Sequence, residues 1–214
     1  MAALIFFRRQ DRWMPQVLGL PRDEPNAYAV LAGRDEARET QFSYHGLRFA
    51  PEEVRRDFYL HSPHKMLGDV FPVCARWGCS AEFRAEVERL EPGVHQFFPI
   101  RITRPRSKKP ILRTDGREAG PGDFFLFNCL KIVDAVIPEL SSGPILKRYP
   151  SGALGFSEVD DDLCVSRAAI AGRHIWHGAH QNRGDAHFFV SDALRELLVA
   201  RKLQGFVIRP VGEA

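Results

Sequence analysis

The chain has only four cysteines among 214 residues, Cys74, Cys79, Cys129 and Cys164, too few and too scattered for a disulfide scaffold. The C-x4-C spacing of Cys74 and Cys79 lacks the second close pair that a structural zinc site needs. Cys129 falls inside the apolar run Phe124–Leu130, where a reduced and buried thiol is the natural reading. No apolar run approaches the roughly 18–20 residues that span a bilayer as a helix. The apolar N-terminal stretch is short, and Arg8 and Arg9 follow it rather than precede it, the reverse of a secretory signal. A cytoplasmic location is therefore the default expectation. Charge of one sign is scarce as well. Thirty basic against 27 acidic residues leave a net charge of +3, too mild a balance to imply nucleic acid by composition.

The familiar catalytic signatures are missing too. There is no G-x-x-x-x-G-K phosphate loop, no G-x-G-x-x-G and no G-x-S-x-G. No spacing of Ser, His and Asp stands out from chance. The expectation is a protein without catalytic residues, metal or cofactor. What is present is ordinary globular material, 44% hydrophobic and 27% charged, and a chain of this length is read as one domain over residues 1–214.

Several segments have a local signature. Leu4–Phe7, Ala27–Ala32 and Asp57–Leu60 suit short strands, and Pro51-Glu52-Glu53 suits a helix start. Asp123–Ile137 is the most apolar stretch; its Phe and β-branched content favours a central strand that bends near Asp134. Residues 138–162 read as a long turn-rich crossing, followed by short strands at Leu163–Val165, Arg173–Trp176 and His187–Val190.

The clearest unit begins at Ser80, a good N-cap, with Phe83, Val87 and Leu90 on one helical face. Pro92-Gly93 stops that helix, and Val94–Ile102 continues as a strand in which Pro99 is tolerable only at an edge or end. A near-copy closes the chain. Ser191 caps a helix with Leu194, Leu197 and Leu198 on one face, Gly205 ends it, and Phe206–Val211 is a strand containing Pro210. The interval from Ser to Pro is the same in both copies. The expected fold is α+β, a mixed and mainly antiparallel sheet with a few helices and this repeated cap–helix–turn–strand unit.

Three charged or metal-like constellations compete for a function. His174, His177, His180 and His187, with Asp185, are the material of a metal-dependent hydrolase. The surrounding glycines argue against a helix, however, and on a strand His174 and His177 would face opposite ways. His61 and His64 are weaker still, because Pro63 breaks any helical face. The loop Arg101–Arg117 is basic and proline-punctuated, the material of a nucleic-acid-binding module, but it has no interleaved aromatics for base stacking. The acidic run Glu158, Asp160, Asp161 and Asp162 offers a contact for a basic partner, against the simpler reading of a solvated turn. Trp13, Trp77 and Trp176 are the aromatic candidates for an interface, and core packing is the commoner role of tryptophan.

Three segments, taken in order, resemble a known family. They are Phe71–Ser80 leading into Glu88–Gly93 and His95–Ile100; Asp123–Ala135; and His174-Ile-Trp176 followed by Phe188–Asp192, Leu203–Phe206 and Pro210-Val211. Their order over residues 57–212 resembles the eleventh catalogued immunity-protein family of bacterial polymorphic toxin systems, a myxobacterial-type immunity domain. Residues 1–56 are poorly covered by the likeness. Where the family often has Lys-Ser after the central strand, this chain has Pro138-Glu-Leu-Ser141. The resemblance implies a protein that binds and neutralises a cognate antibacterial toxin encoded nearby, in competition between bacteria. It brings no catalytic residues and no cofactor. The contact residues expected on this chain are Glu158, Asp160, Asp161, Asp162 and Trp176, without nucleic acid and without membrane insertion.

Overall fold

Ala3–Phe7 are all buried, yet they serve two different cores, because successive strand residues face opposite ways. Ala3, Ile5 and Phe7 join one apolar cluster, and Ala2, Leu4 and Phe6 join another. The computed structural model describes residues 1–8, 14–20, 27–33, 36–39, 41–42, 45–105, 107, 109–143, 147–148, 154–156, 161–179 and 187–214. In chain order its elements are β1 (Ala3–Phe7), β2 (Val17–Leu18), α1 (Glu36–Glu39), β3 (Asp57–Leu60), β4 (Val70–Val73), β5 (Arg76–Ser80) and α2 (Ala81–Leu90). There follow β6 (Gln96–Thr103), β7 (Phe124–Asn128), β8 (Ile132–Val133), a 3-10 turn at Pro138–Leu140, β9 (Lys147–Arg148), β10 (Leu154–Gly155) and β11 (Cys164–Val165). The chain ends with α3 (Arg167–Ile170), β12 (Ile175–Gly178), β13 (His187–Val190), α4 (Asp192–Ala200), β14 (Phe206–Pro210) and β15 (Gly212–Glu213). The fold is α+β with mainly antiparallel pairing.

Two sheets dominate. One is a closed barrel in the order β2-β3-β6-β7-β5-β4, and the other is a five-stranded sheet in the order β14-β1-β13-β12-β8. Their connectivity is the same. In the barrel, β4 and β5 form a hairpin, α2 crosses over, and β6 returns on the far side of β7, so that Phe125 lies between Cys79 and Pro99. In the sheet, β12 and β13 are antiparallel neighbours, α4 crosses over, and β14 returns on the far side of β1, so that Ala3 lies between Val190 and Pro210. The parallel pair β2–β4 corresponds to β8–β12, with Val17 and Val133 in matching places. The parallel pair β3–β6 corresponds to β11–β15, with Asp57↔Arg101 matched by Cys164↔Gly212. Val136, just after β8, bridges Val165 and draws this second half toward a barrel of its own.

The halves exchange strands. Read along the chain, β1 leads the first set of elements but is an interior strand of the second sheet, while β7 leads the second set and lies within the barrel. The barrel interior holds Phe58, Phe71, Phe98, Ile100, Phe124 and Leu126. The interior of the second half holds Leu4, Phe6, Val165, Trp176 and Phe189. Between them lies a shared core, with α2 and α4 packed on it through Phe83, Val87, Leu194 and Leu198.

The repeated unit expected from the sequence is present in both copies. Ser80 Oγ accepts the N–H of Phe83 and Ser191 Oγ accepts that of Leu194, caps worth about 1 kcal/mol each. Pro210 closes an edge strand. Pro99 is exposed on the barrel strand β6, and β3 first pairs with β6 at Arg101, so the chain is locally an edge where the N–H is missing.

Other expectations need correction. Pro51-Glu52-Glu53 forms one turn and no helix: Glu53 N–H closes on Ala50 O, Glu53 Oε2 accepts Ala50 N–H, and Val54 then bridges to Leu31. That bridge is the only ladder contact in the Ala27–Ala32 segment among the described residues. Asp123–Ile137 is two strands of different halves, broken at Cys129–Lys131. The strand expected at Arg173–Trp176 begins two residues later, because His174 turns its backbone N–H to Glu91. Residues 1–56, outside the family-like segments, contribute β1 as an interior strand of the five-stranded sheet.

Candidate functional site

Each N-cap serine is held by the residue that precedes the first strand of its hairpin. Ser80 N–H donates to Asp69 O (2.8 Å) and its hydroxyl to Asp69 Oδ1 (2.9 Å). Ser191 N–H donates to His174 O (3.0 Å), and its hydroxyl lies 2.9 Å from His174 Nδ1. The other half then grips these two residues. Asp69 and Val70 donate their N–H groups to Gln204 O, and Gln204 N–H returns to Asp69 Oδ2. His174 N–H goes to Glu91 Oε1 at 2.8 Å.

The polar groups here are mostly buried. His95 Nδ1 accepts the N–H of Leu130, which puts the ring proton on Nε2, 2.5 Å from Glu91 Oε2. Burial opposes the charge on Glu91, but the His95 hydrogen bond and the His174 N–H outweigh it and hold the carboxyl below the usual glutamate range. At Asp69 burial wins over the Gln204 and Ser80 bonds and pushes the carboxyl up. Burial also pushes the Cys74 and Cys129 thiols up to about 12, and Cys79 higher still, so none is an available thiolate at neutral pH. The Ser191–His174 contact resembles a nucleophile and its base. Ser80 and Asp69 occupy the same positions in the other half with the same backbone bonds, however, so the shared role is to fix a helix cap.

Among the described residues, the histidine cluster does not gather into one site. His177 and His187 are buried on neighbouring strands with ring centroids 6.4 Å apart, and His187 packs on Phe156. His180 and Asp185 lie outside the described residues. Among the described residues, no three His, Cys, Asp or Glu side chains gather as a metal site. The basic loop is largely spent on scaffolding. Arg104 donates to the carbonyls of Ser62 and His64, Arg113 binds Asp123 and Glu82, Arg117 binds Asp115, and Arg101 binds Asp57.

The acidic run and the tryptophans divide in the same way. Glu158 and Asp160 lie outside the described residues, as does Trp13. Asp161 is buried against the backbone of Gly143, and Asp162 is exposed while paired with Arg209 at 2.7 Å. Trp176 is fully buried, stacked on Phe189 at 5.6 Å in the inward-facing position that Phe71 takes in the barrel. The surface role expected of Asp161 and Trp176 thus meets two interior side chains. Trp77 is buried as well.

A groove that sequence reasoning missed opens at the rim of the barrel. It measures about 510 Å³ and is lined by Gly19, Leu20, Ala32, Pro51, Glu52, Val54, Arg55, Arg56, Asp57 and Tyr59. No motif marks it, because its walls come from three separate stretches of chain.

The sequence model of the immunity protein family (Imm11) matches residues 10–213. The chain belongs to the Imm11 immunity protein family. A comparison with curated proteins finds no match. The Imm11 match starts well before residue 57, so the N-terminal part that looked poorly covered lies mostly within the family region. It runs from just after β1 into β15 and therefore takes in both quasi-equivalent halves except that first strand. No helix among the described residues is long and apolar enough to cross a membrane.

Proposed function

We propose that this Imm11 member neutralises a cognate antibacterial toxin by binding it in the cytoplasm, without catalysis. The observation that carries the reading is the match of an immunity protein family to residues 10–213. The chemistry of the interior is consistent with it. Ser80, Ser191, Asp69, His174, Glu91 and His95 are all occupied in fixing helix caps and strand ends, and the buried thiols are held protonated. Asp162, exposed at the end of the acidic run although ion-paired with Arg209, belongs to the proposed contact surface for a basic partner, which would compete for that carboxylate. The toxin is proposed to be encoded beside this gene, as part of a polymorphic toxin system used in competition between bacteria.

The test is co-expression of the neighbouring toxin candidate with and without this protein in a sensitive bacterium, followed by co-purification. Survival together with a stable complex supports the reading. Death of the cells with folded protein present, and no complex, contradicts it.

A further inference from the structure

Among the described residues, Arg55 of the barrel-rim groove has no counter-ion. Arg55 donates its backbone N–H to Val30 O, but its side-chain Nε is buried and has no hydrogen-bond partner, and among the described residues no carboxylate forms an ion pair with it. The absence of a side chain at Gly19 makes room for it: a Cβ there would lie 3.1 Å from Arg55 Cδ. Of the neighbouring acids, Asp57 is taken by Arg101 at 2.6 Å, and Glu52 is exposed at the rim without an ion pair among the described residues.

The other half shows how the fold balances a charge at this place. Arg55 stands two residues before Asp57, and Asp162 stands two residues before Cys164, its counterpart in the pairing with the last strand. Asp162 is neutralised within the molecule by Arg209. The residue corresponding to Arg209 in the barrel is Phe98, packed in the core. The barrel half therefore leaves its rim charge unmatched, and beside an open groove. Nε is itself closed to solvent, so a ligand in the groove would meet the terminal nitrogens of this half-buried guanidinium, whose planar fork matches a carboxylate.

We infer that this groove receives a carboxylate-bearing segment of the toxin, with Arg55 as its anchor against the apolar wall of Leu20, Ala32 and Val54. The inference rests on the immunity reading for the identity of the partner, and on the groove alone for the carboxylate.

Two measurements on the full chain keep these apart. The first follows the Arg55 Nε–Hε resonance while N-acetyl-Gly-Glu-Gly-amide or inorganic phosphate is added. A saturable shift with the peptide and a weaker response to phosphate are expected. A flat or non-saturating response to the peptide, or saturation by phosphate at lower concentration than by peptide, overturns the carboxylate site. The second compares affinity for the neighbouring toxin between wild type, Arg55→Met and Arg55→Lys. Met is expected to lose about tenfold or more and Lys less, as befits an interface anchor, while Arg117→Ala, exposed on another loop, changes little. Equal affinity of Arg55→Met and wild type overturns the anchor. A saturable peptide response in a protein that binds no toxin supports the carboxylate site and counts against the immunity reading instead.

Discussion

Trp77 and Phe188 hold corresponding positions in the two halves and touch each other edge to face, with ring centroids 4.7 Å apart. Trp77 pairs with Phe127 of β7 and Phe188 with Ile5 of β1, so the quasi-twofold relation of the halves passes between the two rings. Phe7 and Phe83 close around Trp77. Truncating Trp77→Ala should therefore open the shared core and cost about 3–5 kcal/mol of stability. Urea unfolding followed by circular dichroism reads this directly, and a loss under 1 kcal/mol would show that the shared core is not where the stability resides.

The exchange of β1 and β7 makes a second prediction. Neither half has its exchanged strand without the other, so the two should unfold together. Calorimetry is expected to give a single transition whose van't Hoff and calorimetric enthalpies agree. Two resolved transitions would mean that the halves are independent. Deleting residues 1–8 should abolish native near-ultraviolet dichroism although β1 lies at the chain terminus.

The Glu91–His95 pair gives the stability curve a definite acid limb. The folded pKa of Glu91 is depressed, so its contribution is complete above the ordinary glutamate pKa and is lost as pH falls through the lower folded value. Asp69 acts oppositely. Its folded pKa is raised, and it favours the folded state in acid, an advantage lost as pH rises through that folded value. Glu91→Gln should thus be less stable than wild type at pH 7 and lose less as the pH is taken below about 4. Parallel curves for the two proteins would refute the assignment.

Gly205, in the loop after α4, has φ at +102°, and a Cβ there would run into the carbonyl of Val70. That contact lies where the loop after α4 grips the start of β4. Gly205→Ala should cost about 1–3 kcal/mol, from backbone strain and displacement of the Asp69–Gln204 bonds. An unchanged urea midpoint would contradict it.

Local signals in the sequence were faithful where the structure is local. Ser80, Ser191 and the apolar faces of α2 and α4 all mark their elements, because caps and helical periodicity act over a few residues; Gly205, expected to end α4, lies beyond it, since the helix stops at Ala200. His187–Val190 and Asp57–Leu60 were legible for the same reason, and the match of Pro99 with Pro210 pointed to a repeated unit. The strand exchange was not legible. Ala3 pairs with Val190 and Pro210, contacts spanning almost the whole chain, and no short pattern encodes such a partner. The candidate site suffered likewise. Asp161 sat in an acidic run that reads as a solvated turn, Trp176 was weighed between an interface and the core, and Arg55 carried no sequence signal at all. Its unmet donor and its groove exist only once β3, the turn at Pro51 and the segment near Gly19 come together.

The claim that this protein neutralises its toxin by binding is tested most directly by titrating it into a fixed amount of active toxin in vitro. The account predicts that toxin activity falls linearly and vanishes at an equimolar amount, and that toxin recovered from the complex under denaturing conditions is chemically unaltered. Complete inactivation by a small fraction of an equivalent, with a modified or cleaved toxin, would make the protein an enzyme and contradict the account.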